Sequence, residues 1–255
     1  MSRPAVLVTG GAKRIGAQIA RRFSEAGWHV VIHYGTSQDE AEALAGSLSS
    51  AETIQRDLTN SGSAVQMIEE LAERLPDWRA LVNCASVFEL DTYDEVDPTV
   101  FEHAMHVNAL APVRMAEAFL EHARSSAGRR VIQLTDQKIA NPNPDFFSYT
   151  MSKHAAASAM RMLSIAHDGS DDRVYSLAPG AILPSHDQDE AETEISHRMN
   201  LLERKTEAEE VAEAALFLAE GSVASGETLY VDSGQHLLSQ DRDVMFLARE
   251  GQAAV

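Results

Sequence analysis

Cysteine is almost absent from this chain, whose 255 residues include only Cys84. A single thiol cannot form an internal disulfide, so we expect a fold held by noncovalent packing in a reducing compartment. No apolar run approaches the roughly 20 residues that a membrane-spanning helix needs. The N-terminal residues also lack the apolar segment of a secretory signal peptide. The sequence therefore predicts a cytoplasmic protein without a membrane partner.

Basic residues are also scarce, with 21 lysines and arginines against 39 aspartates and glutamates and a formal net charge of −18. This balance argues against nucleic acid as a partner, because the overall field repels polyanions. An anionic ligand must then be held by locally placed cations or by helix N-termini. Hydrophobic residues make up 44% and charged residues 24%, as in ordinary globular proteins. Without a repeat, a linker or a second core, residues 1–255 are predicted to form one domain.

Short aliphatic runs alternate with amphipathic helical patterns along the chain. Strands are predicted at residues 5–9, 28–34, 52–56, 79–83, 130–135, 173–178 and 228–232. Helices are predicted at residues 18–26, 40–48, 63–75, 98–122 and 208–219, and over the segment that holds Tyr149 and Lys153. Strand–helix–strand order of this kind predicts right-handed crossovers between parallel strands.

A glycine-rich turn, Gly10 to Gly16, lies between the first predicted strand and the first predicted helix. This context suits a phosphate-binding loop, because glycine lets the backbone approach a ligand and the helix N-terminus favours negative charge. The spacing differs from G-x-G-x-x-G, with Arg14 where a second glycine often stands. A purely structural turn is therefore the alternative interpretation.

The end of the second predicted strand has no carboxylate, although many dinucleotide sites use one there to bind the adenosine ribose. Asp39 is the first to follow, at a position typical of a helix start. Positive charge comes instead from Lys13 and Arg14, and hydroxyl groups from Thr36 and Ser37. This combination favours the 2′-phosphate of NADP(H) over NAD(H), whereas the alternative treats the two cations as ordinary surface charge.

Tyr149 and Lys153 stand four residues apart, which places them on one face of a helix. A phenol has a pKa of about 10 in water. A nearby ammonium would lower the pKa of Tyr149 toward the range in which general acid–base catalysis is efficient. Asp136 follows the fifth predicted strand, and open α/β sheets place their chemistry at strand ends. The alternatives are a chance pair on a solvated helix and a turn-forming aspartate.

In this order and spacing, these motifs make the chain resemble the short-chain dehydrogenase/reductase family over nearly its whole length. The matching pieces are Thr9-Gly10-x-x-x-Arg14-x-Gly16, Asp57, Asn83-x-Ala85, Asn108, Tyr149-x-x-x-Lys153, Pro179-Gly180 and Val231-Asp232-x-Gly234. The resemblance implies an α/β fold with a Rossmann-like, doubly wound parallel sheet of about seven strands in three layers. It also implies NAD(P)(H) chemistry and a homotetramer.

Within that family the chain looks like the pteridine reductases and the bacterial dihydromonapterin reductases. Arg14 replaces the usual glycine of the nucleotide loop, and Asp136 stands where most relatives have a serine. The stretch Asn83 to Phe88 is similar to one whose aromatic ring stacks on a pterin. The resemblance therefore implies an NADPH-dependent reduction of a dihydropterin to a tetrahydropterin, with dihydrofolate as a further candidate substrate.

The resemblance also assigns site residues. Catalysis is assigned to Asp136, Tyr149, Lys153 and Asn108, the last of which positions a water that leads to Lys153. Substrate binding is assigned to Arg14, Ser86, Phe88, Asp136 and Tyr149. Cofactor binding is assigned to Gly10, Lys13, Arg14, Ile15, Gly16, His33, Tyr34, Thr36, Ser37, Asp57, Leu58, Asn83, Ala85, Ser86, Tyr149, Lys153, Pro179 and Gly180.

Two other functions stay open. A carbonyl reductase of a ketone, such as a ketoacyl thioester or a sugar, would use the same fold, but Asp136 in place of serine counts against it. A non-catalytic NADPH-binding scaffold is disfavoured by the presence of Tyr149, Lys153 and Asn108 together.

Three local features have alternative interpretations. Phe88 is either a substrate platform or plain core. The acidic stretch at residues 182–210 is either a lid over the site or a surface excursion. His103 and His106 lie three residues apart but have no third ligand in reach, so we predict surface histidines and no metal site.

Overall fold

One parallel sheet forms the centre of the computed structural model, which describes residues 3–184 and 188–253. Its seven strands follow the order β3-β2-β1-β4-β5-β6-β7. The strands are β1 (Ala5–Val8), β2 (His29–Tyr34), β3 (Ala51–Gln55), β4 (Trp78–Asn83), β5 (Arg130–Leu134), β6 (Arg173–Pro179) and β7 (Thr228–Val231). This confirms the predicted doubly wound α/β sheet.

Helices cover both faces of the sheet. They are α1 (Arg14–Glu25), α2 (Gln38–Ser47), α3 (Ser61–Arg74), α4 (Pro98–Ala104), α5 (Ala111–His122), α6 (Phe147–Ala166), α7 (Glu190–Ser196), α8 (Ala208–Glu220) and α9 (Val244–Ala253). Helices α1, α2 and α8 pack in one apolar cluster with the sheet, and α3, α5 and α6 pack in the other. Within residues 3–184 and 188–253, no helix is both long and apolar enough to cross a membrane.

Strand β1 shows why the apolar runs are continuous rather than alternating. Val6 and Val8 belong to the α1–α8 cluster, whereas Ala5 and Leu7 belong to the α3–α5 cluster. Successive side chains of a strand point to opposite faces, and here both faces are buried.

The strand order reverses between β1 and β4, which are direct neighbours in the sheet. Ligands of open α/β sheets bind in the crevice beyond the carboxyl ends of the strands at such a reversal. All strands are parallel, so the turn after β1 and the segments after β4, β5 and β6 meet at this edge. The topology thus brings together Gly10, Ala85, Asp136 and Gly180.

The helix predicted at residues 98–122 is interrupted. Its first part, α4, ends at Ala104, and Met105–Leu110 forms a π-helical turn before α5 begins. Pro112 accounts for this widening, because a proline has no N–H to donate to the carbonyl four residues back, which is that of Asn108. A proline inside the predicted helix was the available signal.

The acidic stretch contains an ordered helix in its described part. Asp189 caps α7 in a capping box with Glu192, and Glu192 also pairs with Arg249 of α9 at 2.8 Å between Oε1 and Nε. Helix α9 was not among the helices predicted from the sequence. Residues 185–187 of the acidic stretch lie outside the described residues.

Candidate active site

A cleft of about 540 Å³ opens at the carboxyl edge of the sheet. The predicted site residues that line it are Gly10, Lys13, Arg14, Ile15, Gly16, Ala85, Ser86, Phe88, Asp136, Tyr149, Lys153, Pro179 and Gly180. The predicted site residues outside its lining are His33, Tyr34, Thr36, Ser37, Asp57, Leu58, Asn83 and Asn108. The fold therefore collects residues from distant parts of the sequence around one cavity.

The glycine-rich turn leaves no room for side chains. A Cβ on Gly16 would lie 2.2 Å from the carbonyl oxygen of Gly10. Gly10 itself has a φ of +61°, and a Cβ there would approach the Cα of Ala85 to 2.9 Å. The loop can adopt this packing only with glycine at both positions.

Two cations stand at the N-terminus of α1. Lys13 Nζ pairs with Glu40 Oε1 at 2.6 Å, with both side chains about half exposed. Arg14 is exposed, has a φ of +53°, and donates from Nη2 to the carbonyl of Pro184 at 3.1 Å. An exposed ion pair contributes little to stability, so Lys13 can exchange Glu40 for a phosphate group at a small cost in free energy.

His33, which we predicted to contact the cofactor, forms a hydrogen bond with the backbone of the glycine-rich turn. Its Nδ1 accepts from the backbone N–H of Gly10 at 3.1 Å, and its Nε2 lies 3.0 Å from the carbonyl oxygen of Arg56. These partners require the neutral tautomer with the proton on Nε2. Burial lowers the pKa of His33 from 6.5 to about 4, which keeps the ring neutral.

We expect His33 to make the fold acid-sensitive. The unfolded chain binds the proton near pH 6.5 and the folded chain only near pH 4. The stabilisation is therefore complete above pH 6.5 and is lost as the pH falls through about 4, by roughly 3 kcal/mol. Urea unfolding of wild type and His33→Asn across this range should show a flatter pH profile for the variant. Parallel profiles would contradict this role.

Asp136, Tyr149 and Lys153 meet at the centre of the cleft. Tyr149 Oη donates to Asp136 Oδ2 at 2.7 Å, and the backbone N–H of Lys138 donates to Asp136 Oδ1 at 2.9 Å. Lys153 Nζ donates to the carbonyl of Leu134 at 2.9 Å and lies 5.4 Å from the centroid of the Tyr149 ring. The end of β5 thus fixes both the carboxylate and the ammonium.

The pKa of Tyr149 is shifted in the direction opposite to the sequence-based expectation. Burial and then the charge of Asp136 raise the pKa of Tyr149 well above its usual value. Burial also raises the pKa of Asp136 and lowers the pKa of Lys153. The expected net lowering of the pKa of Tyr149 is therefore wrong for this site, because burial and the hydrogen-bonded carboxylate of Asp136 both raise the pKa. Tyr149 is therefore a phenol that holds its proton on Oη.

Phe88 belongs to an aromatic cluster beside Tyr149. Its ring stacks on Phe146 with centroids 4.1 Å apart, and it meets the Tyr149 ring edge-on at 4.6 Å. Phe146 is fully buried, while Phe88 also lines the cleft. The two interpretations of Phe88 are compatible, since one side of the ring packs in the core and the residue still forms part of the wall.

Both polar atoms of the Asn108 side-chain amide form hydrogen bonds with nearby residues of the same chain. Its Oδ1 accepts from the N–H of Val87 at 2.8 Å and from Ser86 Oγ at 3.1 Å. Its Nδ2 donates to the carbonyl of Val87 at 2.9 Å and to Ser152 Oγ at 3.0 Å. The amide therefore ties the segment after β4 to α6, and the water relay to Lys153 stays a prediction.

His103 does not lie in a metal-binding cluster. Its Nδ1 lies 2.7 Å from Glu89 Oε1 at the surface. Across the described part of the chain, no group of three or more histidine, cysteine, aspartate or glutamate side chains is arranged to hold a metal ion.

Several cleft residues were not found from the sequence. Gln137 and Lys138 follow β5, His197 follows α7, and Asp243 precedes α9. Lys138 Nζ and Asp243 Oδ2 form a largely buried ion pair at 2.7 Å. The capping box at the start of α7 was a local signal for that helix, but nothing local indicated that α7 and α9 would reach the cleft.

Comparisons with known proteins agree with this geometry. The profile of a family described as enoyl-(acyl carrier protein) reductase matches residues 10–236. The structure of FolM alternative dihydrofolate reductase 1 from Brucella canis, solved with NADP, is similar with a TM-score of 0.87. It is 33% identical and covers 95% of this chain and 97% of its own.

Two curated proteins with different substrates in their names are also similar. Pteridine reductase 1 of Leishmania tarentolae is 26% identical over 279 residues, covering 92% of this chain and 96% of its own. A granaticin polyketide synthase putative ketoacyl reductase 2 of Streptomyces violaceoruber is 26% identical over 242 residues, covering 92% and 97%. The family profile spans most of the chain, and the sheet order and the Tyr149–Lys153 pair match the resemblance drawn from the sequence. The chain belongs to the short-chain dehydrogenase/reductase family of oxidoreductases.

Proposed function

We propose that this protein is an NADPH-dependent reductase of a pterin, which converts a dihydropterin to a tetrahydropterin. The observation that carries the proposal is the 2.7 Å hydrogen bond from Tyr149 Oη to Asp136 Oδ2 in the cleft. A serine would be sufficient to hold a ketone, whereas a carboxyl group also matches the donor edge of an aminopyrimidine. The similarity to a FolM dihydrofolate reductase and to a pteridine reductase supports this substrate class.

The cofactor is NADP(H), and the nucleotide end of the cleft fits it. The turn at Gly10 and Gly16 is a cradle that any Cβ would fill, and α1 starts without a side-chain cap on its first N–H groups. Lys13 and Arg14 supply positive charge there, while Ser37 makes no capping hydrogen bond. When bound, the reduced nicotinamide supplies the hydride.

The residues of this chain supply the proton and its environment. Reduction of a ring C=N bond leaves negative charge on nitrogen, and Tyr149 delivers a proton from Oη. Asp136 holds that hydroxyl in place and presents its carboxyl to the substrate. As the proton leaves, the buried ammonium of Lys153, 5.4 Å from the ring centroid, stabilises the phenolate that forms.

The second candidate is a carbonyl reductase, which the similarity to a putative ketoacyl reductase favours. It would use the same proton from Tyr149 but would have no need for a carboxyl group beside it. NADPH oxidation measured in parallel with a dihydropterin, dihydrofolate and an acyl-thioester ketone separates the two candidates. Activity with the ketone alone would overturn the pterin proposal, and activity with none of them would favour the non-catalytic scaffold.

Asp136→Ser is expected to lower kcat/KM for the pterin by roughly tenfold, because a hydrogen bond to a charged carboxylate is lost. Activity toward a ketone should not fall in parallel, since a serine can hold a carbonyl. Asp94→Ser is the matched control, because Asp94 is an exposed aspartate away from the cleft. Unchanged pterin reduction in Asp136→Ser would remove the main argument for this substrate.

We also infer a homotetramer, as the resemblance implies. Exposed apolar side chains support further association, with Met162 and Ile165 of α6 at 64% and 65% exposure and Phe217 of α8 at 56%. Light scattering of the purified protein measures the mass directly, and a monomer at micromolar concentration would contradict the inference.

A further inference from the structure

A largely buried ion pair lies in the wall of the cleft, between Lys138 of the segment after β5 and Asp243 of the segment before α9. Lys138 Nζ is 2.7 Å from Asp243 Oδ2, and the two side chains are 4% and 14% exposed. Both residues line the cavity that also contains Asp136 and Tyr149. Because two charges are costly to remove from water, an ion pair at this place calls for an account of what it does there.

The ammonium of Lys138 is fully occupied by protein groups. Besides its contact with Asp243, Nζ donates to Asn143 Oδ1 and to the carbonyl of Asp145, each at 3.2 Å. An ammonium has three N–H donors, and these contacts use all of them. Nζ also lies 5.1 Å from the centroid of the Phe146 ring. Lys138 therefore has no N–H group left for a substrate, and any effect on the reaction must pass through its neighbours.

Asp136 is the neighbour that Lys138 controls most directly. The backbone N–H of Lys138 donates to Asp136 Oδ1 at 2.9 Å, while Tyr149 Oη donates to Asp136 Oδ2 at 2.7 Å. Burial raises the pKa of Asp136, and the positive charge of Lys138 is the largest of the influences that oppose this shift. Lys138 thus favours the ionised carboxyl through both its charge and its N–H group.

Asp243 balances that charge from the start of α9. Its Oδ1 accepts from the backbone N–H of Met245 at 3.0 Å, so its Oδ2 is the oxygen that faces Lys138. After burial and the bonded carboxylate, the charge of Asp243 further raises the pKa of Tyr149. The ion pair therefore acts on both partners of the hydrogen bond that joins the phenol to the carboxyl.

Other titratable groups face this hydrogen bond from neighbouring elements. Lys153 of α6 acts on the carboxyl, and Cys84, in the segment after β4, acts on the phenol. Burial raises the pKa of Cys84 to about 11, so its thiol is uncharged at neutral pH. His154 Nε2 lies 3.2 Å from the carbonyl oxygen of Lys138. Since Lys153 takes part in the proposed reaction, Lys138 offers a positive charge that can be altered without removing a reacting group.

We propose that Lys138 is a positioning residue whose ammonium, balanced by Asp243, keeps the Asp136 carboxyl ionised as the acceptor of the Tyr149 hydroxyl. The inference rests on the proposed function, in which an ionised Asp136 also accepts from the donor edge of the pterin. Without the ammonium, burial is opposed less and the protonated carboxyl is favoured. Without the charge of Asp243, the ammonium is unbalanced and the ionised carboxyl is favoured. The two members of the ion pair therefore shift the titration of Asp136 in opposite directions.

Infrared spectra recorded over a range of pH measure this titration without a substrate, as the growth of the carboxyl C=O band that Asp136→Asn lacks. We expect the midpoint to rise by roughly 0.5–1 pH unit in Lys138→Gln and to fall by a similar amount in Asp243→Asn. Both substitutions keep hydrogen-bonding groups at their positions. Lys205→Gln is the matched control, because Lys205 is partly exposed, pairs with Glu194 and lies outside the cleft lining.

The pH profile of kcat/KM with a dihydropterin gives the second measurement. Its acidic limb should move up in Lys138→Gln and down in Asp243→Asn, because the proposed reaction uses the ionised carboxyl of Asp136. A purely structural role of the ion pair would lower kcat/KM in both variants and leave the position of the limb unchanged.

Equal midpoints in the wild type and both variants, or shifts in the same direction, would overturn the inference. Midpoints that move while the acidic limb stays fixed would overturn the role of Lys138 in the reaction. If the wild-type enzyme reduces no dihydropterin, the proposed function fails, and the infrared titration still decides whether the ion pair controls Asp136. If Lys138→Gln does not fold, the direction of the shift in Asp243→Asn decides alone.

Discussion

Tyr149→Phe is expected to lower kcat for the pterin by about 10²–10⁴-fold, the usual contribution of a positioned general acid. The substitution removes only the hydroxyl that donates to Asp136 Oδ2 at 2.7 Å. The ring stays available for its edge-on contact with Phe88, so affinity for NADPH should be nearly unchanged. Steady-state kinetics and a fluorescence titration with NADPH measure the two quantities separately.

Tyr175→Phe is the matched control for that experiment. Tyr175 is fully buried in β6, and its hydroxyl donates to the carbonyl of Val223 at 2.7 Å, away from the cleft. Its loss should cost about 1 kcal/mol of unfolding free energy and leave kcat unaltered. If Tyr149→Phe retained wild-type turnover, the phenol would have no part in the chemistry.

Gly16→Ala is the second substitution with a large expected effect. The new Cβ would lie 2.2 Å from the carbonyl oxygen of Gly10, so the nucleotide loop must move. A displacement of about 1 Å in a group that positions a reactant can lower the reaction rate about a hundredfold. We expect a fall of that size in kcat/KM, a weaker affinity for NADPH, and a drop of about 1–3 kcal/mol in unfolding free energy from overpacking.

Gly46→Ala serves as its control. Gly46 is exposed within α2, and a Cβ there meets no atom within 4 Å. Because alanine favours helix, this change should stabilise the protein by up to about 1 kcal/mol and leave NADPH binding as it is. Wild-type NADPH affinity in Gly16→Ala would show that the loop does not form the nucleotide cradle.

The sheet was predictable because its signals are local. Strand β1 is a short aliphatic run buried on both faces, and it is followed by a helix with a clear apolar stripe. The position of Asp136 at the cleft also followed, since parallel strands share their carboxyl edge. The boundaries of most elements moved by only a few residues, as at α1, which begins at Arg14.

The electrostatics of the site could not be predicted in the same way. Sequence spacing shows that Lys153 is near Tyr149, but it does not show that both are buried or that Asp136 bonds to the phenol. Burial decides the direction of all three pKa shifts, and burial depends on segments far away in sequence. For the same reason, the sequence did not indicate His197 and Asp243, which lie in the cleft at the ends of α7 and α9, two helices linked by the Glu192–Arg249 ion pair.

The backbone conformation of Arg14 affects which residue selection for thermal stability would favour at this position. Its φ of +53° is a backbone conformation that costs a residue with a Cβ roughly 1 kcal/mol and costs glycine nothing. A selection for heat resistance would therefore tend to recover glycine at position 14. Variants selected in this way would lose the guanidinium that we propose contacts the cofactor phosphates, so selection for stability and selection for cofactor binding would favour different residues at position 14.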